Sequence, residues 1–237
     1  MKTIEFEEVT KYYQKQPALE QVSLSIHEHE LFGLLGVNGA GKSTLIHLLI
    51  GLIPLTSGRI CVFGNSVTEA KGKGMINVAF QEQAIAKKLT VEENITMMAQ
   101  LYGDTMYKKS VEAVLEQLQL KSVRRQKAST LSGGYQRRLS IAMAIVTHPQ
   151  VLVLDEPTLG LDVLARHELW SLISTLKGKM TILLTTHYLE EIEALSDRVA
   201  ILNQGRLKAV GTIEEIKAKA KSSTLEEAFI ALVTKEE

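Results

Sequence analysis

The sequence predicts an α/β protein with a mostly parallel sheet, a small antiparallel β subdomain and an inserted α-helical subdomain. Short alternating segments lie at residues 3–9, 21–26 and 58–64, and helical spacing dominates residues 84–148. Strand-like runs alternate with helical stretches from residue 151 onward. Strands that alternate with helices form parallel sheets covered by helices. The 237 residues suffice for one large domain or two small ones, at about 100 to 200 residues per domain.

The first elements are short strands, followed by a strand, a loop and a helix. Apolar residues alternate in residues 3–9 and 21–26, and residues 58–64 repeat this pattern. Residues 31–37 form a continuous apolar run that ends in glycines. Leucines at helical spacing follow in residues 42–52, which predicts a helix directly after the loop.

The middle of the chain is helical in character, and the last third returns to alternating elements. Val111, Val114, Leu115 and Leu118 have the i, i+3, i+4, i+7 spacing of a helix face. Three strand-like runs follow at residues 151–154, 181–185 and 198–202, separated by helical stretches at 164–176 and 188–195. A turn at residues 203–205 then predicts an antiparallel hairpin at the sheet edge, and residues 225–232 have the spacing of a short terminal helix.

Charge and composition exclude several classes of protein. Lys and Arg number 27 against 27 Asp and Glu, so no basic excess points to a nucleic-acid partner. Cys61 is the single cysteine, which excludes an intrachain disulfide and fits a reducing compartment. The N-terminus lacks the apolar run of a signal peptide, and no apolar run approaches the roughly 18 residues of a membrane span. We expect a cytosolic protein that reaches a membrane only through a partner.

A phosphate-binding loop is the most specific motif. The string GVNGAGKS at residues 36–43 matches G-x-x-x-x-G-K-[ST] between an apolar strand and a helix. Such a loop turns backbone N–H groups and the positive helix end toward phosphate oxygens, which predicts a P-loop NTPase core. We expect Lys42 to reach the β and γ phosphates and Ser43 to ligate Mg²⁺. The predicted nucleotide contacts here are Gly36, Asn38, Gly39, Ala40, Gly41, Lys42, Ser43 and Thr44.

Two adjacent carboxylates follow a buried strand. Residues 151–156 read VLVLDE, which places Asp155 and Glu156 at the carboxyl end of the strand, the sheet edge where α/β proteins bind ligands. Asp155 is expected to hold Mg²⁺. Glu156 can orient and deprotonate a water for attack on the γ-phosphate, so it predicts hydrolysis rather than transfer to another acceptor. The sequence lacks the N-K-x-D string with which a GTPase would recognise its base.

A second anion-binding helix start lies at residues 131–136, LSGGYQ. Ser132, Gly133, Gly134 and Gln136 fall at the beginning of a helical run. This string resembles the LSGGQ signature of the ATP-binding cassette (ABC) ATPases, with Tyr135 preceding Gln136 as in some exporters. The resemblance covers essentially the whole chain. It implies a head-to-tail dimer in which the signature of one subunit closes over the ATP held by the other.

The resemblance assigns four further residues. Tyr13 is similar to the aromatic residue that stacks on adenine, although Tyr12 remains an alternative. Gln81 resembles the glutamine that contacts Mg²⁺ and the attacking water, and His187 resembles the histidine that hydrogen-bonds the γ-phosphate. Asp162 matches the aspartate that crosses the dimer interface, with a valine following it where proline is common.

The resemblance also divides the chain into four parts. Residues 1–83 form the β subdomain and phosphate-loop core, residues 84–148 the helical subdomain, residues 149–211 the rest of the core, and residues 212–237 a short helical tail. This tail is similar to that of exporters for drugs, lipids, antibiotics or polysaccharides. The implied partners are ATP, a second ATP-binding subunit and a transmembrane permease on a separate chain, at the cytoplasmic face of the membrane.

Two expectations concern the partner. We expect residues 84–101 to form part of a groove that receives a cytoplasmic helix of the permease, with Ala86 as an exposed position there. A different class stays open, namely a cassette ATPase that acts as a switch on a soluble partner. Association with a polytopic membrane protein would distinguish the two.

Overall fold

The computed structural model describes residues 2–82 and 84–234. The predicted boundary at residue 83 and the last three residues of the predicted tail lie outside the described residues. The strands are β1 (Lys2–Tyr13), β2 (Gln16–His27), β3 (Leu31–Leu35), β4 (Ser57–Val62), β5 (Asn65–Ser66), β6 (Ile76–Ala79), β7 (Val151–Asp155), β8 (Thr181–Thr186), β9 (Arg198–Asn203) and β10 (Arg206–Gly211). The helices are α1 (Lys42–Leu49), α2 (Val67–Gly72), α3 (Val91–Leu101), α4 (Tyr107–Gln117), α5 (Gly133–Ile145), α6 (Val163–Ser174), α7 (Leu189–Leu195), α8 (Ile213–Ala220) and α9 (Leu225–Thr234).

The chain divides into two compact units. The first combines the chain before residue 74 with the chain after residue 176, and the second consists of residues 74–176. The second unit thus interrupts the first in the sequence. The predicted α/β class is confirmed, whereas the finer four-part division stays a prediction.

An antiparallel sheet forms one layer of the first unit. Its strand order is β2-β1-β4-β5. Val22, Leu24 and Ile26 alternate along β2 and are all buried, as their spacing predicts. The strands β1 and β2 extend beyond the alternating segments, because their outer ends pair in a hairpin that joins Tyr13 to Gln16.

Parallel strands form the second layer of this unit and set the register of its loops. β3 pairs in parallel with both β8 and β9, and β10 pairs antiparallel with β9, which confirms the predicted hairpin. Leu35 at the end of β3 lies opposite Thr186 at the end of β8. The loop after β3 and the segment after β8 therefore begin at neighbouring positions on the same edge.

Two helices close the C-terminal end of the first unit. The predicted terminal helix is confirmed as α9, and Leu225 and Ala228 from it share a buried cluster with Leu35 and Ile201. The preceding helix α8 lies within the predicted helical tail, but it was not predicted as a separate helix. Its signal is nevertheless present, because Thr212 and Glu215 form a reciprocal capping box at its start.

In its described residues, the second unit contains a short parallel strand pair, four α-helices and two single-turn 3-10 helices. β6 pairs with β7, with Ala79 opposite Leu154. The predicted helical region contains α3, α4 and α5, and α6 follows β7. Within residues 2–82 and 84–234, no helix is long and apolar enough to cross a membrane.

Candidate functional site

The loop between β3 and α1 has the backbone of a phosphate cradle. Gly39 and Gly41 adopt φ values of 80° and 107°, in the left-handed region that favours glycine. The Lys42 side chain is 6% exposed, and its Nζ donates to the Gly36 carbonyl oxygen at 2.6 Å. The loop therefore holds the Lys42 ammonium group against its own backbone, and the contact of this group with phosphates stays a prediction.

The phosphate loop packs closely against the backbone of neighbouring segments. A Cβ on Gly36 would lie 2.5 Å from the Leu202 carbonyl oxygen, and one on Gly41 would lie 2.8 Å from the Ala18 carbonyl oxygen. The N–H of Gly205, in the β9–β10 turn, donates to the Ala40 carbonyl oxygen at 2.9 Å. Sequence analysis identified this turn but not its support of the loop, because the contact joins residues that are far apart in the sequence.

The start of α1 is available to an anion. In the described part of the chain, no side chain caps this helix and no acidic residue lies in its first turn. Ser43 is exposed and Thr44 is half-buried. Unpaired N–H groups and the helix dipole favour negative charge at such an end.

His187 lies beside the phosphate loop in the sheet register. It directly follows β8, as Gly36 directly follows β3, and the two strands are paired. Its ring centroid lies 4.1 Å from that of Tyr188, whose N–H donates to Thr186 Oγ1 at 3.0 Å. The first unit thus brings together the predicted loop and the predicted histidine.

The two candidate adenine-stacking residues lie at the outer end of β1. Tyr12 and Tyr13 are both exposed, and Lys11 Nζ lies 5.3 Å from the Tyr13 ring centroid. The paired strand β2 begins at this end, and its residue Ala18 lies close to the phosphate loop, since a Cβ on Gly41 would lie 2.8 Å from the Ala18 carbonyl oxygen. Their exposure does not distinguish the two tyrosines, so the choice of Tyr13 stays a prediction.

The second unit carries the predicted acidic pair. Asp155 and Glu156 are buried at the end of β7. Glu156 adopts a φ of 48°, which is uncommon for a residue other than glycine. Strained backbone of this kind persists where the surrounding structure holds it, and it is frequent at active sites.

Gln81 lies near this pair in the strand register. Because Ala79 is opposite Leu154 in the parallel pair, the residues after β6 and after β7 leave the same end. Gln81 is exposed in this segment. The second unit therefore presents an amide and two carboxylates at one end of its strand pair.

The signature string begins α5 as predicted. Ser132 is the N-cap residue, and its side chain makes no capping hydrogen bond to the residues that the structure describes. Both Ser132 and Gly133 are exposed. Gln136 Nε2 donates to the Leu131 carbonyl oxygen at 2.9 Å, which braces the loop before the helix. The helix end thus leaves its first N–H groups for an external anion.

The segment around Asp162 packs against the signature. A Cβ on Gly133 would lie 3.7 Å from Leu161 Cδ2, and one on Gly134 would lie 3.5 Å from Ala165 Cβ. Asp162 Oδ1 accepts from the Ala165 N–H at 2.9 Å and caps α6. The second unit therefore brings together the two elements that the resemblance assigns to a dimer interface.

Sequence analysis missed Arg137, which follows Gln136 on α5. Its guanidinium is buried and bonds to the backbone beside Gln81 and at Glu156. No local pattern marks it, because an arginine on a helix is usually exposed and this one is buried by tertiary packing.

Comparisons with known proteins identify the family of the chain. The family model described as ABC transporter matches residues 19–159. The chain is 37% identical over 227 residues to the linearmycin resistance ATP-binding protein LnrL of Bacillus subtilis (strain 168), covering 94% of this chain and 73% of that protein. It is 35% identical over 240 residues to the probable multidrug ABC transporter ATP-binding protein YbhF of Escherichia coli (strain K12), covering 97% of this chain and 41% of that protein.

Longer relatives and solved structures of ABC transporter subunits are also similar to this chain. The Homo sapiens cholesterol transporter ABCA5 is 35% identical over 221 residues, which are 89% of this chain but only 14% of that protein. A solved structure described as the ATP-binding subunit of an ABC transporter has a TM-score of 0.86 at 30% identity, covering 97% of this chain and 99% of the other. A nucleotide-free ATP-binding cassette from an ABC transporter has a TM-score of 0.83 at 28% identity, with the same coverage.

These matches confirm the P-loop NTPase fold. The family match includes the phosphate loop, the signature string and the acidic pair. The chain belongs to the ABC transporter family, as an ATP-binding cassette that binds and hydrolyses ATP.

Proposed function

We propose that this cassette is the peripheral ATPase subunit of an exporter at the cytoplasmic face of the cell membrane, paired with a separate transmembrane permease. The observation that supports this proposal is that one chain has the phosphate-loop motif around Lys42 and the signature motif at the helix start at Ser132. These are the two parts that would form a composite ATP site between two copies. The names of LnrL and YbhF, one a resistance protein and the other a multidrug transporter protein, support export.

Two copies would complete two sites. In this arrangement, Ser132 and the two signature glycines of one copy contact the γ-phosphate of the ATP held by the phosphate loop of the other. Both halves keep their motif residues, so a second copy of this chain is a sufficient partner, while a different cassette would also fit. Asp162 would contact the partner copy from its position beside the signature.

The donor set suits Mg²⁺ bound together with ATP. Ser43 offers a hydroxyl, Asp155 a carboxylate and Gln81 an amide oxygen, and Mg²⁺ prefers oxygen ligands and is held partly by substrate phosphates. When bound, the ion neutralises charge on the phosphate oxygens. Among the described residues, no group of three or more His, Cys, Asp or Glu side chains could hold a metal ion by itself.

The chain's own residues would then divide the work of hydrolysis. Lys42 and the loop N–H groups hold the β and γ phosphates. Glu156 accepts a proton from the attacking water, and Gln81 and His187 orient that water and the γ-phosphate by hydrogen bonds. The constrained backbone at Glu156 favours one position of its carboxylate.

A groove along α3 is the proposed docking surface for the permease. Met97 and Leu101 supply its apolar lining, while Glu92, Glu93 and Arg125 supply charge. Leu101 is 71% exposed. An amphipathic helix with charged residues beside its apolar face would match this combination of apolar and charged side chains.

One earlier expectation about this surface is wrong. Ala86 is half-buried rather than exposed, and its N–H donates to the Oδ1 of the buried residue Asn94 at 2.8 Å. A charge at Ala86 would therefore perturb folding as well as docking. Leu101 is the better position for a test.

Leu101→Glu is expected to weaken association with the permease about tenfold or more, since it places a charge in an apolar contact. Leu52→Glu is the matched control, because Leu52 is also an exposed leucine, at 55%, but lies outside the groove. Both variants should fold and bind ATP. The measurement is the fraction of tagged chain that co-purifies with a polytopic membrane protein in detergent.

The same preparation tests the proposed function. Wild-type chain that associates only with a soluble protein would favour the switch alternative. Association that survives both Leu101→Glu and Met97→Glu would place the docking surface elsewhere.

A further inference from the structure

We propose that Arg137 is a positioning residue for ATP hydrolysis, which fixes the backbone beside Gln81 and at Glu156 from the signature helix. The inference rests on the proposed roles of Gln81 and Glu156. Arg137 itself contacts neither ATP nor water in this proposal, and it acts through the residues whose backbone it holds.

The contacts of Arg137 reach two separate segments. Its Nη1 donates to the Phe80 carbonyl oxygen at 2.8 Å, directly before Gln81. Its Nη2 donates to the Glu156 carbonyl oxygen at 3.3 Å. The residue is 3% exposed, so water competes little for these bonds.

Arginine is suited to this position by its shape. The planar guanidinium presents several N–H donors in a rigid fork, so one side chain can bind carbonyls from two segments at once. Phe80 follows β6 and Glu156 follows β7, and the register of these strands brings their ends together. A lysine would supply charge without the fork.

The strained conformation of Glu156 adds to the argument. With its φ of 48°, Glu156 needs its surroundings to hold it. The Glu156 carbonyl oxygen accepts from the Leu159 N–H at 3.2 Å as well as from Arg137. Removing Arg137 therefore loosens the residue proposed as the base, and a small displacement of such a group is costly for rate.

The position of Arg137 on α5 also connects the binding of ATP at the signature with the residues proposed for hydrolysis. Helix α5 begins at the signature string, where the ATP of a second copy would bind, and Arg137 lies directly after Gln136. The next residue, Arg138, pairs with Glu168 on α6, which anchors the same stretch of helix. A shift of α5 on closing over ATP would reach Gln81 and Glu156 through Arg137.

The test is the steady-state kinetics of Arg137→Met and Arg137→Lys in the assembled complex. We expect Arg137→Met to lower kcat about tenfold or more, while KM for ATP changes less than about twofold. Arg137→Lys should recover part of the loss. In a Glu156→Gln background, Arg137→Met should still form the ATP-dependent dimer.

Ile141→Ala is the matched control for lost stability. Ile141 is fully buried on the same helix, and its hydrocarbon side chain cannot donate a hydrogen bond to the Phe80 or Glu156 carbonyl oxygen. Its truncation should therefore lower the Tm while kcat stays within about threefold of wild type. If Arg137→Met does not fold, the positioning role is tested with Arg137→Lys alone, by the same comparison of kcat with KM. The positioning role would be overturned if the Arg137 variants kept a kcat within about threefold of wild type. It would also be overturned if the loss of kcat were proportional to the fall in Tm in every variant, Ile141→Ala included.

Failure of the proposed roles would look different. If the Glu156→Gln single variant itself turned over ATP at the wild-type rate, the assignment of the base would be wrong. The Arg137 proposal fails alone if Glu156→Gln is inactive and the Arg137 variants are fully active.

Discussion

Glu156→Gln is expected to reduce ATP turnover about a thousandfold while leaving ATP binding almost unchanged. An amide cannot accept the proton of the attacking water, and general base catalysis contributes about 10² to 10⁴ in rate. Lys42, Ser43 and Asp155, the proposed contacts of the nucleotide and its Mg²⁺, remain in this variant. The measurements are phosphate release at saturating Mg-ATP and equilibrium nucleotide affinity. Glu193→Gln, at an exposed position on α7, is the control and should behave as wild type.

The same variant should accumulate an ATP-dependent dimer, because two copies close over ATP but cannot hydrolyse it and separate again. Light scattering with and without Mg-ATP would show a doubling of mass. Phosphate release near the wild-type rate would remove Glu156 from its role and leave the phosphate loop as the supported part of the site.

Lys42→Ala is expected to weaken ATP binding about ten- to a hundredfold, since hydrogen bonds to charged groups contribute about 1.5 to 3 kcal/mol. The substitution also removes the bond from Nζ to the Gly36 carbonyl oxygen inside the loop. Titration of nucleotide at a fixed Mg²⁺ concentration measures the effect. Lys179→Ala removes an exposed lysine and should leave the affinity unchanged. An unaltered affinity in Lys42→Ala would contradict the proposed contact with the phosphates.

The parts of the fold and of the site that depend on local chemistry can be predicted from the sequence. Helix α1 begins at Lys42 as expected, because the glycines before it leave the chain free to enter the helix. It ends at Leu49 rather than at Leu52, and Gly51 with a φ of 67° marks that end. Glycine just after a helix is a known stop signal, so this boundary was readable from the sequence.

Other features depend on contacts between distant segments. The support of Ala40 by the Gly205 N–H and the burial of Arg137 join residues that no periodicity connects. Ala86 is half-buried and its N–H donates to Asn94 on α3, a contact that the apolar pattern of that segment does not indicate. Such features follow from tertiary packing, which overrides the usual exposure of a residue type.

Cross-linking between two separately tagged pools tests the central claim, that one copy's phosphate loop and another copy's signature share an ATP. Both pools carry Cys61→Ser and Glu156→Gln; one adds Asn38→Cys and the other adds Ser132→Cys, at two exposed positions. We expect a disulfide between the two pools that requires Mg-ATP and does not form within either pool alone. ATP-bound protein that forms no such disulfide, or that cross-links equally within one pool, would contradict the head-to-tail arrangement.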